Sequence, residues 1–212
     1  MNIAIIGAAG KVGTLLTAEA IKQQYHVTAI VRHAENLSNR GLKVIEKSIF
    51  DLTVDDLKPF EVVINAYKAP EGEEEDYVRS TAHLISLFQS LPRTRLIVVG
   101  GAGSLYVDEA KTTRLVETVD FPEAYKPTAI NMGKAFDLLQ SSTILWSYFS
   151  PAAFFDFEGA ATGKYILGKD HFMTNKAGDS YISYADYSIA LIDEIKNRAF
   201  IQQRFTAVSN PR

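Results

Sequence analysis

The sequence predicts an α/β fold in which helices cover both faces of a doubly wound parallel sheet. Short β-branched apolar runs alternate with longer stretches of helical periodicity, and a glycine-rich turn follows the first run directly. Apolar runs without polar alternation are typical of parallel strands that are buried on both faces. On this basis strands are predicted over 3–6, 27–31, 44–45, 62–64, 96–99 and 144–149.

Helices are predicted between most of these strands. The first covers residues 11–24, because Val12, Leu16 and Ala20 form an i, i+4 row. The segment 35–42 is too short and polar for a crossover helix, and we expect an irregular turn there. Two further helices are predicted at 76–91, with Val78, Ala82, Ile85 and either Leu87 or Phe88 on the buried face, and at 123–140.

The pattern changes after the sixth strand. Glycines among aromatic residues predict loops and short strands, so residues 151–182 are expected to form a small C-terminal lobe within a single domain spanning 1–212. Ser183 is a suitable N-cap with an acid three residues later, and it predicts a helix that extends to about residue 197. A last extended run over 204–208 is expected to add an edge strand.

The composition argues against several kinds of chemistry and partner. Lys and Arg number 22 against 25 Asp and Glu, a net charge of −3 without the basic stripe that binds nucleic acid. No apolar run approaches the ~20 residues that span a bilayer, and no basic leader precedes the first run, so we expect a cytoplasmic protein without a membrane partner. The sequence has no cysteine and only four scattered histidines, so no metal site is predicted. We expect a monomer or a homodimer.

The strongest local motif is the turn between the first strand and the first helix. Gly7, Gly10 and Gly13 have the spacing G-x-x-G-x-x-G. The first glycine allows a sharp turn, the second lets the backbone approach a pyrophosphate, and the third lets helix and strand pack closely. A ligand-free tight turn is the alternative, but the strand before and the helix after favour a Rossmann-type dinucleotide site. Its predicted contacts are Gly7, Ala9, Gly10, Lys11, Val12 and Gly13.

The end of the second strand bears on which dinucleotide is bound. NAD-preferring sites usually place an acid there for the ribose hydroxyls, whereas this sequence has Arg32 and His33. A guanidinium pairs with a 2′-phosphate, so NADP(H) is favoured over NAD(H), and Lys11 could also reach that phosphate. Glu35 is the residue that could reverse the preference. The alternative is that Arg32 merely faces solvent at a strand end.

Further candidates follow the remaining strands, because open α/β sheets bind ligands at the carboxyl edge. Adenine and ribose contacts are predicted for Asp51, Leu52, Asn65, Ala66 and Tyr67. Asp51 could instead cap a helical turn over 53–57, and Asn65 could tie neighbouring loops together. Small residues and backbone amides that could frame the nicotinamide are Gly100, Gly101, Ala102, Ser150, Pro151 and Ala152.

Ser104 is the candidate catalytic hydroxyl. Reductases that pair a serine with an acidified tyrosine need Tyr-x-x-x-Lys on the helix after this strand, and that motif is absent. The match at Tyr165–Lys169 lies in a strand-like segment and is accidental. A role in stabilising the loop is therefore at least as well supported for Ser104.

Several sequence segments together resemble those of a known protein family. These are residues 95–105, 120–126, 150–153, 163–165 and 182–187, in that order along the chain. The chain resembles the NAD(P)H-binding, NmrA-like atypical short-chain reductases, in particular the group named for NADH-flavin reductase activity. The resemblance implies hydride transfer to a flavin such as FMN or FAD, a quinone or another small planar acceptor. NmrA-like proteins also include regulators that sense NADP and bind a protein partner without turnover, and this alternative stays open.

Overall fold

The computed structural model describes residues 1–210, which contain one large sheet, one small sheet and five α-helices. The strands are β1 (Asn2–Ile6), β2 (His26–Val31), β3 (Lys43–Glu46), β4 (Val62–Asn65), β5 (Arg95–Val99), β6 (Trp146–Ser150), β7 (Phe154–Asp156), β8 (Tyr165–Gly168), β9 (Tyr181–Ser183) and β10 (Gln203–Ser209). The helices are α1 (Lys11–Lys22), α2 (Val54–Leu57), α3 (Asp76–Phe88), α4 (Lys126–Gln140) and α5 (Tyr184–Asn197).

The large sheet has the strand order β3-β2-β1-β4-β5-β6-β10-β8. Among the described strands of this sheet, all pairs are parallel except the last, in which β8 runs antiparallel to β10. The order reverses direction between β1 and β4, which is the topological switch point of a Rossmann-type sheet. The predicted fold class is therefore confirmed.

Hydrophobic cores lie on both faces of the sheet. Ile3 and Ile5 pack on the face covered by α1 and α5, whereas Ala4 and Ile6 pack on the face covered by α3 and α4. Successive side chains of a strand point to opposite faces, so a central parallel strand needs an apolar residue at every position. The interpretation of the apolar runs as doubly buried strands is correct for β1.

The buried face of α3 differs from the prediction. Ser80, Thr81 and Leu84 are buried, whereas Ala82 is exposed and Val78 is only half-buried. Phe88 of the predicted face is buried, as expected. The helix packs against α4, and Ser80 Oγ donates to the backbone carbonyl of Tyr77 in its own helix at 3.3 Å. Because such a bond removes the penalty for burying a hydroxyl, hydrophobicity alone does not predict that Ser80 is buried as well.

Two further predictions are wrong at the sheet edges. The strand predicted over 44–45 is present as β3 but is not buried on both faces, since Val44 is 39% exposed and β3 is an edge strand in the described part of the sheet. The last strand, β10, is not an edge strand but lies between β6 and β8, which pairs along its outer side. In contrast, the irregular turn expected over 35–42 is confirmed, since a 3₁₀ turn over Ala34–Asn36 is the regular element there.

The segment 151–182, predicted to form a C-terminal lobe, divides between the two sheets. β8 joins the large sheet, while β7 pairs in parallel with β9 as a separate two-stranded sheet. The predicted cap of α5 is confirmed, because Ser183 Oγ accepts a hydrogen bond from the backbone N–H of Asp186 at 3.0 Å. Within residues 1–210 no helix has the length and apolar character needed to cross a bilayer. The cytoplasmic location stays a prediction.

Candidate functional site

The glycine-rich turn has the backbone geometry that its spacing predicts. Gly7 adopts a φ of +77°, and a Cβ there would lie 2.5 Å from the carbonyl oxygen of Ala66. A Cβ on Gly13 would collide with the Gly7 carbonyl, so only glycine lets α1 start this close to β1. A Cβ on the exposed Gly10 would meet only the Gly7 carbonyl, at 3.2 Å. The turn is thus a tightly packed cradle whose outer side is open to a ligand.

The amino end of α1 adds donors to this cradle. Gly10 is its N-cap, and neither a side-chain cap nor an acid occupies the first turn. The first-turn N–H groups of a helix lack partners within the helix, and they favour an anion through both hydrogen bonding and the helix dipole. The predicted contacts Lys11, Val12 and Gly13 form this turn. The cradle therefore fits the pyrophosphate of a dinucleotide.

A cleft of about 360 Å³ opens beside the cradle, at the carboxyl ends of β1, β2 and β4. We call it the cationic cleft. The structure brings together in it the predicted residues Gly7, Ala9, Gly10, Arg32, His33, Ala66 and Tyr67. Sequence reasoning missed Asn36, Lys47, Ile49 and Lys68, which also line it. Lys47 and Lys68 follow β3 and β4 closely, so the carboxyl-edge rule used for the other candidates could have found them.

The charge of the cationic cleft is one-sided. Its wall contains Arg32, His33, Lys47 and Lys68, and among residues 1–210 no acid lines it. Lys47 pairs with Asp56 at 2.7 Å, whereas Arg32 is exposed and has no ion-pair partner in the described part of the chain. A free guanidinium at the end of β2 is the arrangement that pairs with a 2′-phosphate.

Glu35, which could have reversed this charge, does not line the cleft. Its carboxylate lies 3.6 Å from His33 Nδ1, and Glu46 nearby accepts a hydrogen bond from the backbone N–H of Ala34 at 3.0 Å. The carboxylates and the imidazole lie within 4.8 Å of one another but are all exposed. This grouping orders the turn after β2, and we assign no metal to it.

Tyr67 also lines the cationic cleft. Its hydroxyl donates to Asp76 Oδ2 at 3.3 Å, and its ring meets Phe50 edge-on with the centroids 6.2 Å apart. Desolvation and the Asp76 carboxylate raise the pKa of Tyr67 to about 12, although the nearby Arg32 acts in the opposite direction. The phenol is therefore neutral at physiological pH, and its position is fixed.

Three of the five predicted adenine and ribose contacts lie outside the cleft. Asp51 ends a 3₁₀ turn over Ile49–Asp51, and it does not cap α2, because Thr53 does so in a capping box with Asp56. Leu52 is buried in the core. Asn65 Oδ1 accepts a hydrogen bond from the backbone N–H of Tyr67 at 3.1 Å, so Asn65 shapes the loop after β4.

A second cavity, of about 660 Å³, lies further along the carboxyl edge beyond β5 and β6. We call it the apolar pocket. Predicted residues in its wall are Gly101, Ala102, Pro151 and Ala152. The remaining wall includes Met132 and five aromatic residues, which are Phe121, Tyr125, Phe154, Phe155 and Phe172. Small residues on one side and rings on the other suit a flat, apolar molecule.

Gly100 and Ser150, also predicted as contacts, support this pocket from behind. A Cβ on Gly100 would collide with the ring of Tyr148, whose hydroxyl accepts from the Gly101 N–H at 3.3 Å. Burial raises the pKa of Tyr148 to about 12, so it is a poor acid. Ser150 is fully buried, and its hydroxyl has no hydrogen-bond partner among residues 1–210. Neither residue lines the pocket.

Ser104, the candidate catalytic residue, is 2% exposed. Its hydroxyl and its carbonyl oxygen both accept hydrogen bonds from Arg204 Nη1, at 3.2 Å and 2.6 Å. Arg204 also donates to Asp170 Oδ1 at 3.1 Å, so Ser104 belongs to a buried polar network that fixes the loop after β5. This geometry favours the loop-stabilising role, and Ser104 has no part in the function proposed below.

The doubly wound sheet, the positive-φ glycine cradle at its switch point and the adjoining cationic cleft define a dinucleotide-binding protein. The chain belongs to the NAD(P)H-binding family, whose model matches residues 7–197. The family resemblance inferred from the sequence is thus confirmed at this level, while membership in the NmrA-like branch stays a prediction.

Individual relatives match nearly the whole chain. The protein YwnB of Bacillus subtilis (strain 168) is 50% identical over 210 residues, which cover 99% of each chain. A crystal structure from Streptococcus pneumoniae TIGR4, named a “putative NADH-flavin reductase”, is 41% identical with a TM-score of 0.94 over 99% of this chain and 100% of that one. A “putative epimerase” from Bacteroides thetaiotaomicron is 32% identical with a TM-score of 0.86, over 100% and 99%.

Proposed function

We propose that this protein is an NADPH-preferring oxidoreductase that passes a hydride to a flavin, a quinone or a similar small planar acceptor. The observation that carries the proposal is the placement of two cavities along one sheet edge. The cationic cleft lies at the ends of β1, β2 and β4, and the apolar pocket lies beyond β5 and β6. The reductase name of the Streptococcus relative supports the same class of acceptor.

Different residues would bind different parts of the dinucleotide. The glycine cradle and the first turn of α1 would hold the pyrophosphate, and Arg32, with His33 beside it, would pair with the 2′-phosphate. Gly101, Ala102 and Ala152 would leave room for a flat ring against the backbone. When bound, the nicotinamide supplies the hydride, which leaves the oxidised dinucleotide and reduces the acceptor.

In such a reaction the main tasks of the protein are to position the nicotinamide against the acceptor and to exclude water from between them. The aromatic side chains in the wall of the apolar pocket would contribute to that exclusion once an acceptor is bound. Tyr148 is buried behind the pocket, donates its own proton to the carbonyl of Met132 at 3.3 Å and has a raised pKa, so it is not suited to give up that proton. We therefore propose that the proton completing the reduced acceptor comes from solvent.

The test is a titration of purified protein with NADPH and NADH, followed by the loss of nicotinamide absorbance when riboflavin, FMN or menadione is added. We expect NADPH to be preferred, and Arg32→Ala to raise the NADPH KM by about 10- to 100-fold while changing that for NADH by about twofold or less. Arg93→Ala, which removes an exposed guanidinium just before β5, is the matched control. Tight cofactor binding without oxidation by any acceptor would overturn the reductase assignment and support a non-catalytic sensor.

A further inference from the structure

The walls of the apolar pocket carry charge of one sign. Among the described residues that line it there is no Lys, Arg or His, and Asp120 is its one ionisable carboxyl. The wall segment 115–125 contains Glu117, Asp120 and Glu123 without a base, and the segment 151–158 contains Asp156 and Glu158 without a base. Only Asp120 of these acids lines the pocket itself, so the pocket is mainly apolar inside and the exposed Asp120 puts a negative charge at its rim.

Bases near these segments lie outside the described lining of the pocket. Lys11 lies 4.2 Å above the ring centroid of Phe157, and two others are paired with acids. Lys126, which directly follows the first wall segment, is paired with Glu123 at 2.5 Å. Arg114, which directly precedes it, is paired with Asp137 at 2.6 Å. The cationic cleft has the opposite character, with Arg32 free and no acid among its described lining residues. The two cavities on one sheet edge thus present opposite charge to their ligands.

The pocket offers neutral polar contacts to a ring. Ser180 is half-buried in its wall, and its Oγ accepts a hydrogen bond from the backbone N–H of Ala153 at 3.0 Å. Within residues 1–210 no acceptor receives the proton of this hydroxyl, so the hydroxyl is free to donate to a ring carbonyl.

From this pattern we propose that the apolar pocket selects uncharged planar acceptors, namely quinones and phosphate-free flavins, and discriminates against acceptors that carry a phosphate. The inference rests on the proposed function for the identity of the site, and it adds the charge class of the acceptor. A flavin phosphate brings a charge of about −1.5 to −2 near this rim, and no Lys, Arg or His among the described lining residues is there to neutralise it. The isoalloxazine ring itself is unaffected by this repulsion.

Riboflavin and FMN are the sharpest probes, because they share the ring and differ only in the phosphate. At low ionic strength we expect kcat/KM for FMN to be about tenfold below that for riboflavin, and we expect the gap to narrow as salt screens the rim. Asp120→Asn should raise the ratio of kcat/KM for FMN to kcat/KM for riboflavin. Asp55→Asn, which removes the same charge from the distant, exposed α2, should leave that ratio unchanged.

A binding measurement separates this inference from the proposed function. The Kd of each flavin for the NADP⁺-loaded protein is determined from the quenching of flavin fluorescence. A binding preference for riboflavin without turnover would support the charge selection and overturn the reductase. Turnover of FMN as efficient as that of riboflavin at low salt, or a gap insensitive to both salt and Asp120→Asn, would overturn the charge selection and leave the reductase intact.

Discussion

The ammonium of Lys11 lies 4.2 Å above the ring centroid of Phe157, so the first residue of α1 reaches the acidic segment that follows β7. Phe157 in turn meets Tyr184 edge-on, with the centroids 5.5 Å apart. The sequence suggested that Lys11 could reach a 2′-phosphate, but this side chain does not line the cationic cleft. The positive charge of Lys11 therefore lies between the glycine cradle and the segment around Phe157.

This placement predicts how Lys11→Met changes cofactor binding. Because the pyrophosphate is common to both dinucleotides, we expect the Kd values for NADPH and NADH to rise by the same factor, about three- to tenfold. Fluorescence titration measures both constants. Lys22→Met, in the last turn of the same helix, is the control. A rise confined to NADPH would instead place Lys11 at the 2′-phosphate.

The cradle predicts a difference between two glycines that share a backbone conformation. Gly7 and Gly72 have φ values of +77° and +85°, but a Cβ on Gly72 would meet nothing within 4 Å. Gly72→Ala should therefore lower the free energy of unfolding by only about 1 kcal/mol, which is the cost of the left-handed conformation. Gly7→Ala adds the collision with Ala66 and should cost roughly 2–4 kcal/mol and abolish cofactor binding. Urea unfolding and cofactor titration measure the pair, and equal losses would contradict the steric argument.

A buried ion pair predicts a non-additive effect on stability. Arg95 and Glu194 are 1% and 3% exposed, their charged groups lie 2.5 Å apart, and Arg95 Nε also donates to Ser147 Oγ at 3.1 Å. Burial lowers the pKa of Arg95, whereas Glu194 opposes that shift. Arg95→Met or Glu194→Leu alone strands a buried charge and should cost about 3–5 kcal/mol. The double variant should recover much of this loss in urea unfolding; simple additivity would refute the coupling.

The ion pairs of Asp170 predict part of the loss of folding stability at acidic pH. Burial acts to raise its pKa, but hydrogen bonds and charge from Lys111 and Arg204 outweigh burial and hold the pKa below the ordinary value of 3.8. A depressed folded-state pKa contributes stability that is complete above the unfolded value and is lost as the pH falls through the folded one. Asp170→Asn should therefore lower stability at neutral pH and flatten its decline below about pH 4. Unfolding free energies across this pH range provide the measurement, and parallel curves would contradict it.

Local motifs determined what could be predicted from the sequence. The glycine cradle and Arg32 were found because strand, turn and helix are contiguous and their roles depend on neighbouring backbone. Phe121 and Asp120 were not recognised as lining the apolar pocket. Their segment lies in an irregular connection between β5 and α4, and no local sequence pattern predicts where such a connection packs. The same reason accounts for β10, since its neighbour β8 comes from an irregular stretch. Ser104 shows the converse limit, because its partner Arg204 is 100 residues away.

The Arg95–Glu194 pair joins the first residue of β5 to the end of α5, at the opposite edge of the sheet from both cavities. This pair thus stabilises the fold away from the loops that would meet an acceptor, whereas the Arg204–Ser104–Asp170 network fixes the loop after β5 itself. Loop substitutions that spare Ser104, Asp170 and Arg204 leave both sets of interactions in place, so related chains of this architecture can diverge in acceptor while retaining one dinucleotide cradle. The protein is accordingly a good starting framework for redirecting acceptor choice by loop replacement.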